Sequence, residues 1–156
     1  MLSKSAQSIQ DVLSQKDLNV RVLELPTSTR TAKDAAQSIG CDVGQIVKSL
    51  IFRTKYTNNP ILILASGANL VNEKTIAQQI GEEITKADAD FTREVTGFAI
   101  GGIPPIGHKQ PIKTYIDKDL LLYKEIWAAA GTPNAVFNLN PAMLESLTGG
   151  KIITIQ

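Results

Sequence analysis

Histidine and cysteine occur once each in these 156 residues, and that scarcity excludes much familiar chemistry. Cys41 has no second cysteine to pair with inside the chain, which fits a reducing compartment. With His108 the single imidazole, a zinc site would have to be completed by carboxylates at spacings the chain does not offer. No serine stands in a Gly-x-Ser-x-Gly elbow, and no glycine-rich loop ends in Gly-Lys-Ser/Thr. Gly97, Gly101 and Gly102 miss the dinucleotide-binding spacing. The carboxylates are scattered, with no pair set up for acid–base work. An enzyme built from this chain therefore has no evident side-chain nucleophile. It would have to position water, or a hydroxyl of its substrate, against an already activated bond.

An excess of charge of one sign is missing too. Charged residues make up 20% of the chain and nearly cancel, at net +1. That argues against a protein that coats duplex DNA through many phosphate contacts, and leaves room for one that grips a short single-stranded end. No apolar run is long enough to span a bilayer, and Met1 to Gln7 lacks the apolar core of a signal peptide. The expectation is a soluble, cytoplasmic protein with no membrane partner. The length suits one domain over 1–156 with its own core, and there is no repeat, low-complexity segment or linker to divide it.

Apolar positions at Ile9, Val12 and Leu13 predict a short amphipathic helix over 3–16, followed by a strand over 20–25 that Pro26 stops. Thr31 followed by Asp34 has the form of a capping box and predicts a helix through Ala35, Ala36 and Ile39 to Gly40. A short helical turn from Asp42 then leads into a strand over 49–54. Turn residues at 56–60 and the apolar run 61–65 predict a buried hairpin. Helices are predicted over 72–80 and 88–95, and strands over 113–116, 126–129, 135–139 and 151–155. A last helix is capped by Asn140, with Pro141 at its first position, and stops at Gly149. The charged stretch 86–90 reads as solvated surface, Trp127 and Phe137 as core, and Cys41 as a small packing residue. Irregular interleaving with tight turns favours an α+β fold with a mixed sheet over a doubly wound parallel one.

Two stretches carry most of the functional information. Gly101-Gly102-Ile103-Pro104-Pro105-Ile106-Gly107-His108 is a backbone device: the glycines leave main-chain groups uncovered, and the prolines fix where they point. Gln45-Ile46-Val47-Lys48-Ser49-Leu50-Ile51-Phe52 sets one lysine in an otherwise largely apolar run, so its ammonium either snorkels to the surface or is aimed into a cleft. A preset loop plus one lysine suits a polar, partly anionic substrate that carries a carbonyl. Each stretch alone has a plainer explanation, as a packed lysine stem and as a turn. His108 reads equally as a general base or as a loop-surface residue. Thr31 reads equally as a nucleotide contact or a helix cap, and Asn134 as a substrate contact or a brace of its own turn.

Taken in order, Ser28 to Ala32, Ala35-Ala36, Gly40-Cys41, Gln45 to Leu50, Gly101 to Pro105 and Gly131 to Phe137 resemble the YbaK/EbsC family. These are freestanding relatives of the editing domain of bacterial prolyl-tRNA synthetases, and the resemblance covers roughly residues 20–155. It implies an aminoacyl-tRNA deacylase that clears mischarged tRNA, with tRNA(Pro) carrying a small non-cognate amino acid as the expected substrate. It also implies a single editing domain whose curved, mixed, mostly antiparallel sheet is partly closed like a barrel and surrounded by helices. Lys48 would then hold the phosphate or ribose of the acceptor end. The backbone of Gly101 and Gly102 would orient the attacking water, or the free ribose hydroxyl, and stabilise the oxyanion. Beside these, Thr29, Arg30, Thr31, Ser49, Ile103, Pro104, Pro105, Gly131 and Asn134 are the candidate substrate contacts, with His108 as a neighbour of the site.

No metal or other cofactor is expected. The expected partner is the aminoacyl-tRNA acceptor end, with prolyl-tRNA synthetase or an elongation factor as candidate docking partners. A second sieve of this kind makes sense because a missing methylene is worth only ~1–3 kcal/mol to a synthetase pocket. Ile103, Pro104 and the 131–134 turn are the expected walls of the sieve, and an apolar lining suits alanine better than serine. Two rival readings stand beside this one: a non-catalytic module or synthetase partner that kept the pocket, and a hydrolase or binder of a small aminoacylated nucleotide.

Overall fold

The computed structural model of the chain describes residues 1–16 and 18–156. Eight strands form one sheet: β1 (Leu23–Glu24), β2 (Ile46–Thr54), β3 (Pro60–Ser66), β4 (Ile84–Lys86), β5 (Lys113–Asp117), β6 (Ile126–Ala129), β7 (Ala135–Leu139) and β8 (Lys151–Ile153). Their order is β1-β7-β6-β2-β3-β5-β8, with β4 also paired to β2. Four of the seven pairings are antiparallel, while β2/β6, β3/β5 and β5/β8 are parallel. The mixed α+β expectation therefore holds. The barrel-like closure does not: among the described residues no pairing joins β1 to β8, and the sheet stays open.

Among the described residues five helices pack on this sheet: α1 (Lys4–Gln15), α2 (Ala32–Ile39), α3 (Glu73–Ile80), α4 (Ala89–Thr96) and α5 (Ala142–Thr148). Their starts follow from the sequence, because the side chains of Ser3, Thr31, Asn72 and Asp88 each accept from a first-turn N–H. Asn140 likewise accepts from Ala142 N–H, although it lies one residue outside the cap position. No described helix is long and apolar enough to cross a membrane. The predicted strand over 20–25 shrinks to two residues, since only Leu23 and Glu24 lie opposite β7. The last strand likewise stops at Ile153, two residues short of the predicted end.

The two faces of β2 pack against different clusters, with Lys48 to Leu50 less buried than the ends. Val47 and Ile51 face a core with Leu62, Leu64 and residues of α1, and Ile103 and Ile106 join it. Phe52, with Leu50 packed beside it, faces Ile61, Ile63 and Ile76 of α3, while Ile46 packs on Ala35 and Ala36 of α2. Each apolar side chain buried in this way contributes ~1.5–3 kcal/mol relative to exposure.

One edge of β2 positions the site. The edge facing β3 is paired throughout. The other edge is shared: β6 pairs with Ile46 and Val47, and β4 pairs with Phe52 to Thr54. Among the described residues, Lys48, Ser49 and Leu50 have no strand beside them there. Gly67 N–H donates to Ile46 O and Thr54 N–H to Asn59 O, so even-numbered residues of β2 turn their backbone toward β3. Lys55 N–H donates to Glu83 O, and Ile51 O accepts from Ala87 N–H, on the opposite side. The backbone groups of Ser49 therefore face the gap.

Candidate functional site

Lys48 stands in the middle of this gap, on the side of the sheet covered by α2 and α3. Its Nζ donates to the main-chain carbonyl of Asn69 at 2.5 Å. Asn69 Nδ2 in turn donates to Asp117 Oδ2 and to Asp119 Oδ2, both at 2.8 Å. Asp117 is only 1% exposed, and its carboxylate also accepts from Ser66 N–H at 3.0 Å and Asp119 N–H at 2.9 Å. Burial pushes the Lys48 pKa below the ordinary lysine value, and the charge of Asp117 opposes that shift.

The glycine-proline loop approaches the gap from the opposite face, where Ile103 and Ile106 enter the core. Gly101 has φ +98°, a conformation that favours glycine, and a Cβ there would lie 2.7 Å from Arg30 Cγ and displace that side chain. Gly101 and Lys48 line one hollow of about 270 Å³, together with Thr29, Arg30, Thr31, Ser49 and Ile103. Its floor is apolar and includes Ala35, Ile39, Ile46, Trp127 and Ala128. A second hollow of about 520 Å³ adjoins it, sharing Lys48, Ser49, Leu50, Ile100 and Ile103 and extending to Leu70, Glu73 and Lys86. Leu70 and Ile100 stand 80% and 57% exposed at its edge.

Ser49 contributes an unusual group. Its Oγ is buried and has no hydrogen-bond partner among the described residues. Gly101, which lines the same hollow, has an N–H and C=O with no backbone partner among the described residues.

Other residues expected at the site are placed as braces. Gly102 N–H donates to Ala99 O, and its carbonyl accepts from Gly131 N–H, so its main-chain groups are occupied. A Cβ on Gly102 would press within 2.8 Å of the Thr132 backbone. Asn134 Nδ2 donates to Leu25 O, and its Oδ1 accepts from Thr132 Oγ1. Thr29 Oγ1 donates to Pro133 O at 2.8 Å, which ties the Thr29–Thr31 loop to the same turn. Thr31 both caps α2 and lines the first hollow.

Pro104 touches neither hollow, whereas Pro105 and His108 line a separate one of about 350 Å³ with Lys16 and Lys109. His108 Nε2–H donates to Pro104 O at 2.7 Å, and burial lowers the ring's pKa. His108 and Pro104 therefore meet each other rather than Lys48.

Trp127, expected in the core, is half-buried and forms part of the floor, whereas Phe137 is fully buried. Cys41 packs against the small cluster of Ala35, Ala36 and Ile46. Asn69, Asp117 and the wall from α2 were invisible in the sequence. Asn69 lies 21 residues beyond Lys48 and Asp117 48 residues beyond Asn69, and no local spacing links them. Among the described residues no three His, Cys, Asp or Glu side chains gather as metal ligands.

Comparison with known proteins falls on this same architecture. The model of a family described as the aminoacyl-tRNA editing domain matches residues 27–147. The chain is 30% identical to the uncharacterised protein YwhH of Bacillus subtilis over 148 residues, covering 95% of this chain and 94% of that one. It is 28% identical over 126 residues to EbsC of Enterococcus faecalis, named as a candidate Cys-tRNA(Pro)/Cys-tRNA(Cys) deacylase, covering 80% of this chain and 76% of that one. A crystal structure described as that of a candidate trans-editing enzyme for prolyl-tRNA synthetase superposes with a TM-score of 0.93 at 44% identity, covering 100% of this chain and 99% of that one.

Proposed function

The chain belongs to the aminoacyl-tRNA editing domain family, and from that membership we propose that it is a deacylase, hydrolysing the ester that joins an amino acid to the 3′ end of a tRNA. The observation that carries this reading is the convergence of Lys48 and Gly101 on one hollow, from opposite faces of the sheet through the gap beside β2.

The small apolar hollow suits the amino-acid side chain. The wider hollow suits the terminal nucleotide: Leu70 and Ile100 offer apolar contact to a base, and Lys86 offers charge near a phosphate. The ester then lies at the shared boundary, beside Lys48 and Ser49. The Lys48 ammonium acts as a point charge on the ribose or phosphate. The free Gly101 carbonyl orients the attacking water, or the free ribose hydroxyl, and the N–H groups of Gly101 and Ser49 face the carbonyl oxygen on which negative charge develops. Attack by water on the ester carbon forms a tetrahedral intermediate, whose collapse breaks the bond to the ribose oxygen, and the proton given up by the water ends on that oxygen. Free amino acid and uncharged tRNA leave. An activated ester needs little more than this positioning.

We further propose that the tRNA is tRNA(Pro) carrying a small non-cognate amino acid, and that the protein acts in trans to prolyl-tRNA synthetase. The names of the similar proteins support this, as does the size of the apolar floor. Alanyl-, seryl- and cysteinyl-tRNA(Pro) should be offered to the wild type and to Lys48→Ala. At least one should be cleaved by the wild type, and the variant should lose roughly ten- to a hundredfold in kcat/KM, the scale of removing one charge-assisted contact of ~1.5–3 kcal/mol to the substrate. Binding without turnover on every substrate would leave the non-catalytic reading standing. Equal rates for wild type and variant would remove Lys48 from the mechanism.

A further inference from the structure

We propose that Asp117 and Asn69 are positioning residues that hold the Lys48 ammonium in the cleft without sharing its charge through a direct ion pair. An ammonium has three N–H donors. One is spent on the Asn69 carbonyl, which leaves two for a substrate oxygen. The Asn69 peptide is itself fixed at three points: its N–H donates to Ser66 O at 2.9 Å, and its side-chain amide is shared between Asp117 and Asp119. The ammonium therefore hangs from a rigid carbonyl rather than from a mobile side chain.

Asp117 gives the arrangement its electrostatic meaning. A buried carboxylate with no cation against it is expensive unless hydrogen bonds compensate. Asp117 accepts from Ser66 N–H, Asn69 Nδ2 and Asp119 N–H and makes no ion pair among the described residues. Its charge still reaches Lys48 and opposes the desolvation that drives the amine toward neutrality. Had Asp117 touched Nζ directly, it would have competed with the substrate for the same donors. With Asn69 between them, the Asp117 charge works against that desolvation while leaving the remaining donors of Lys48 to a substrate. The other charged groups on this cleft are Asp119 in the turn after β5, Arg30 before α2, Glu73 on α3 and Lys86 on β4. Of these, among the described residues, only Asp119 also holds Asn69, and it is the less buried of the two carboxylates.

The positioning claim concerns Lys48 itself, while its catalytic consequence rests on the deacylase reading, so the test has two arms. In the first, the rate of acetylation of Lys48 by acetic anhydride is followed against pH by mass spectrometry in the wild type, Asp117→Asn and Asn69→Ala, with no tRNA present. Removing the Asp117 charge lowers the Lys48 pKa further, so the labelling midpoint in Asp117→Asn should move to lower pH. In the second arm, kcat/KM on the cleaved aminoacyl-tRNA is measured against pH. The alkaline limb should move to lower pH in Asp117→Asn. In Asn69→Ala, which keeps the Ser66 and Asp119 contacts of Asp117, kcat should fall by about ten- to a hundredfold with KM little changed, as for a misplaced catalytic group.

A labelling midpoint in folded Asp117→Asn identical to that of the wild type overturns the proposal. If Asp117→Asn does not fold, Asn69→Ala decides: unchanged labelling and unchanged kcat overturn it. A shifted midpoint in a protein that cleaves no aminoacyl-tRNA supports the positioning and sinks the deacylase reading alone.

Discussion

Ser49 Oγ is a hydroxyl that folding has buried at the boundary of two hollows without giving it a bond among the described residues. A buried polar group left unpaired costs ~1–3 kcal/mol, so the fold retains it at a disadvantage unless a ligand completes it. That separates a functional serine from a structural one by the sign of two measurements. Ser49→Ala should raise the free energy of unfolding in denaturant by about 1 kcal/mol, because the unpaired group is gone. The same variant should lose about tenfold in kcat/KM, the size of one hydrogen bond to substrate. A loss of stability together with unchanged activity would make Ser49 an ordinary packing residue. Lys48 and Gly101 were legible in the sequence because one is a charge in an apolar run and the other a glycine in a stiffened loop. Asn69 and Asp117 were not, because an asparagine after a strand and an aspartate at the end of another are unremarkable until the fold brings them together.

At the scale of elements, the site comes from what β2 lacks on one side. Two short strands, β6 and β4, each cover one end of its edge and leave the middle open. The sequence predicted β6 and the hairpin of β2 with β3, because long apolar runs bounded by turn residues mark buried strands. It missed β4, since Ile84–Lys86 offers one buried residue beside charged neighbours, and it started β2 three residues late. Without β4 the gap could not be drawn. The helices were read well because their caps are local chemistry, visible in Thr31, Asn72 and Asp88.

The loop facing the gap is held by an equally local device, the seat of Gly102 against the backbone of Thr132 and its bond to Gly131. Backbone cannot retreat as a flexible side chain can. Gly102→Ala should therefore destabilise the protein by about 1–3 kcal/mol, the usual penalty for forcing a methyl into a closed contact. It should also depress kcat, since the neighbouring Gly101 would shift. Urea unfolding alongside steady-state deacylation reads both, and an unperturbed variant would show that the loop does not depend on this contact.

Across the whole molecule, the sheet stays open among the described residues, and under the proposed reading that leaves room for a single-stranded acceptor end. A net charge of +1 suits a protein whose grip is confined to that end. Selectivity must then come from the shape of the first hollow rather than from charge. Its walls lie elsewhere than the glycine-proline loop alone suggested: Ile103 contributes, but the floor is built from α2 and β6, with Trp127 its largest side chain. An indole there sets the depth available to an amino-acid side chain. Apolar discrimination amounts to ~1–3 kcal/mol per methylene, or roughly ten- to two-hundredfold, so removing the ring should relax it on that scale. Trp127→Ala should hydrolyse prolyl-tRNA(Pro), a larger and cognate product, at least about tenfold faster than the wild type, while its rate on the preferred small substrate changes less. Competition assays with the two charged tRNAs in one mixture give the ratio directly. A ratio that does not move would place the amino-acid side chain in the wider hollow, beside Leu70 and Ile100, and reverse the assignment of the two.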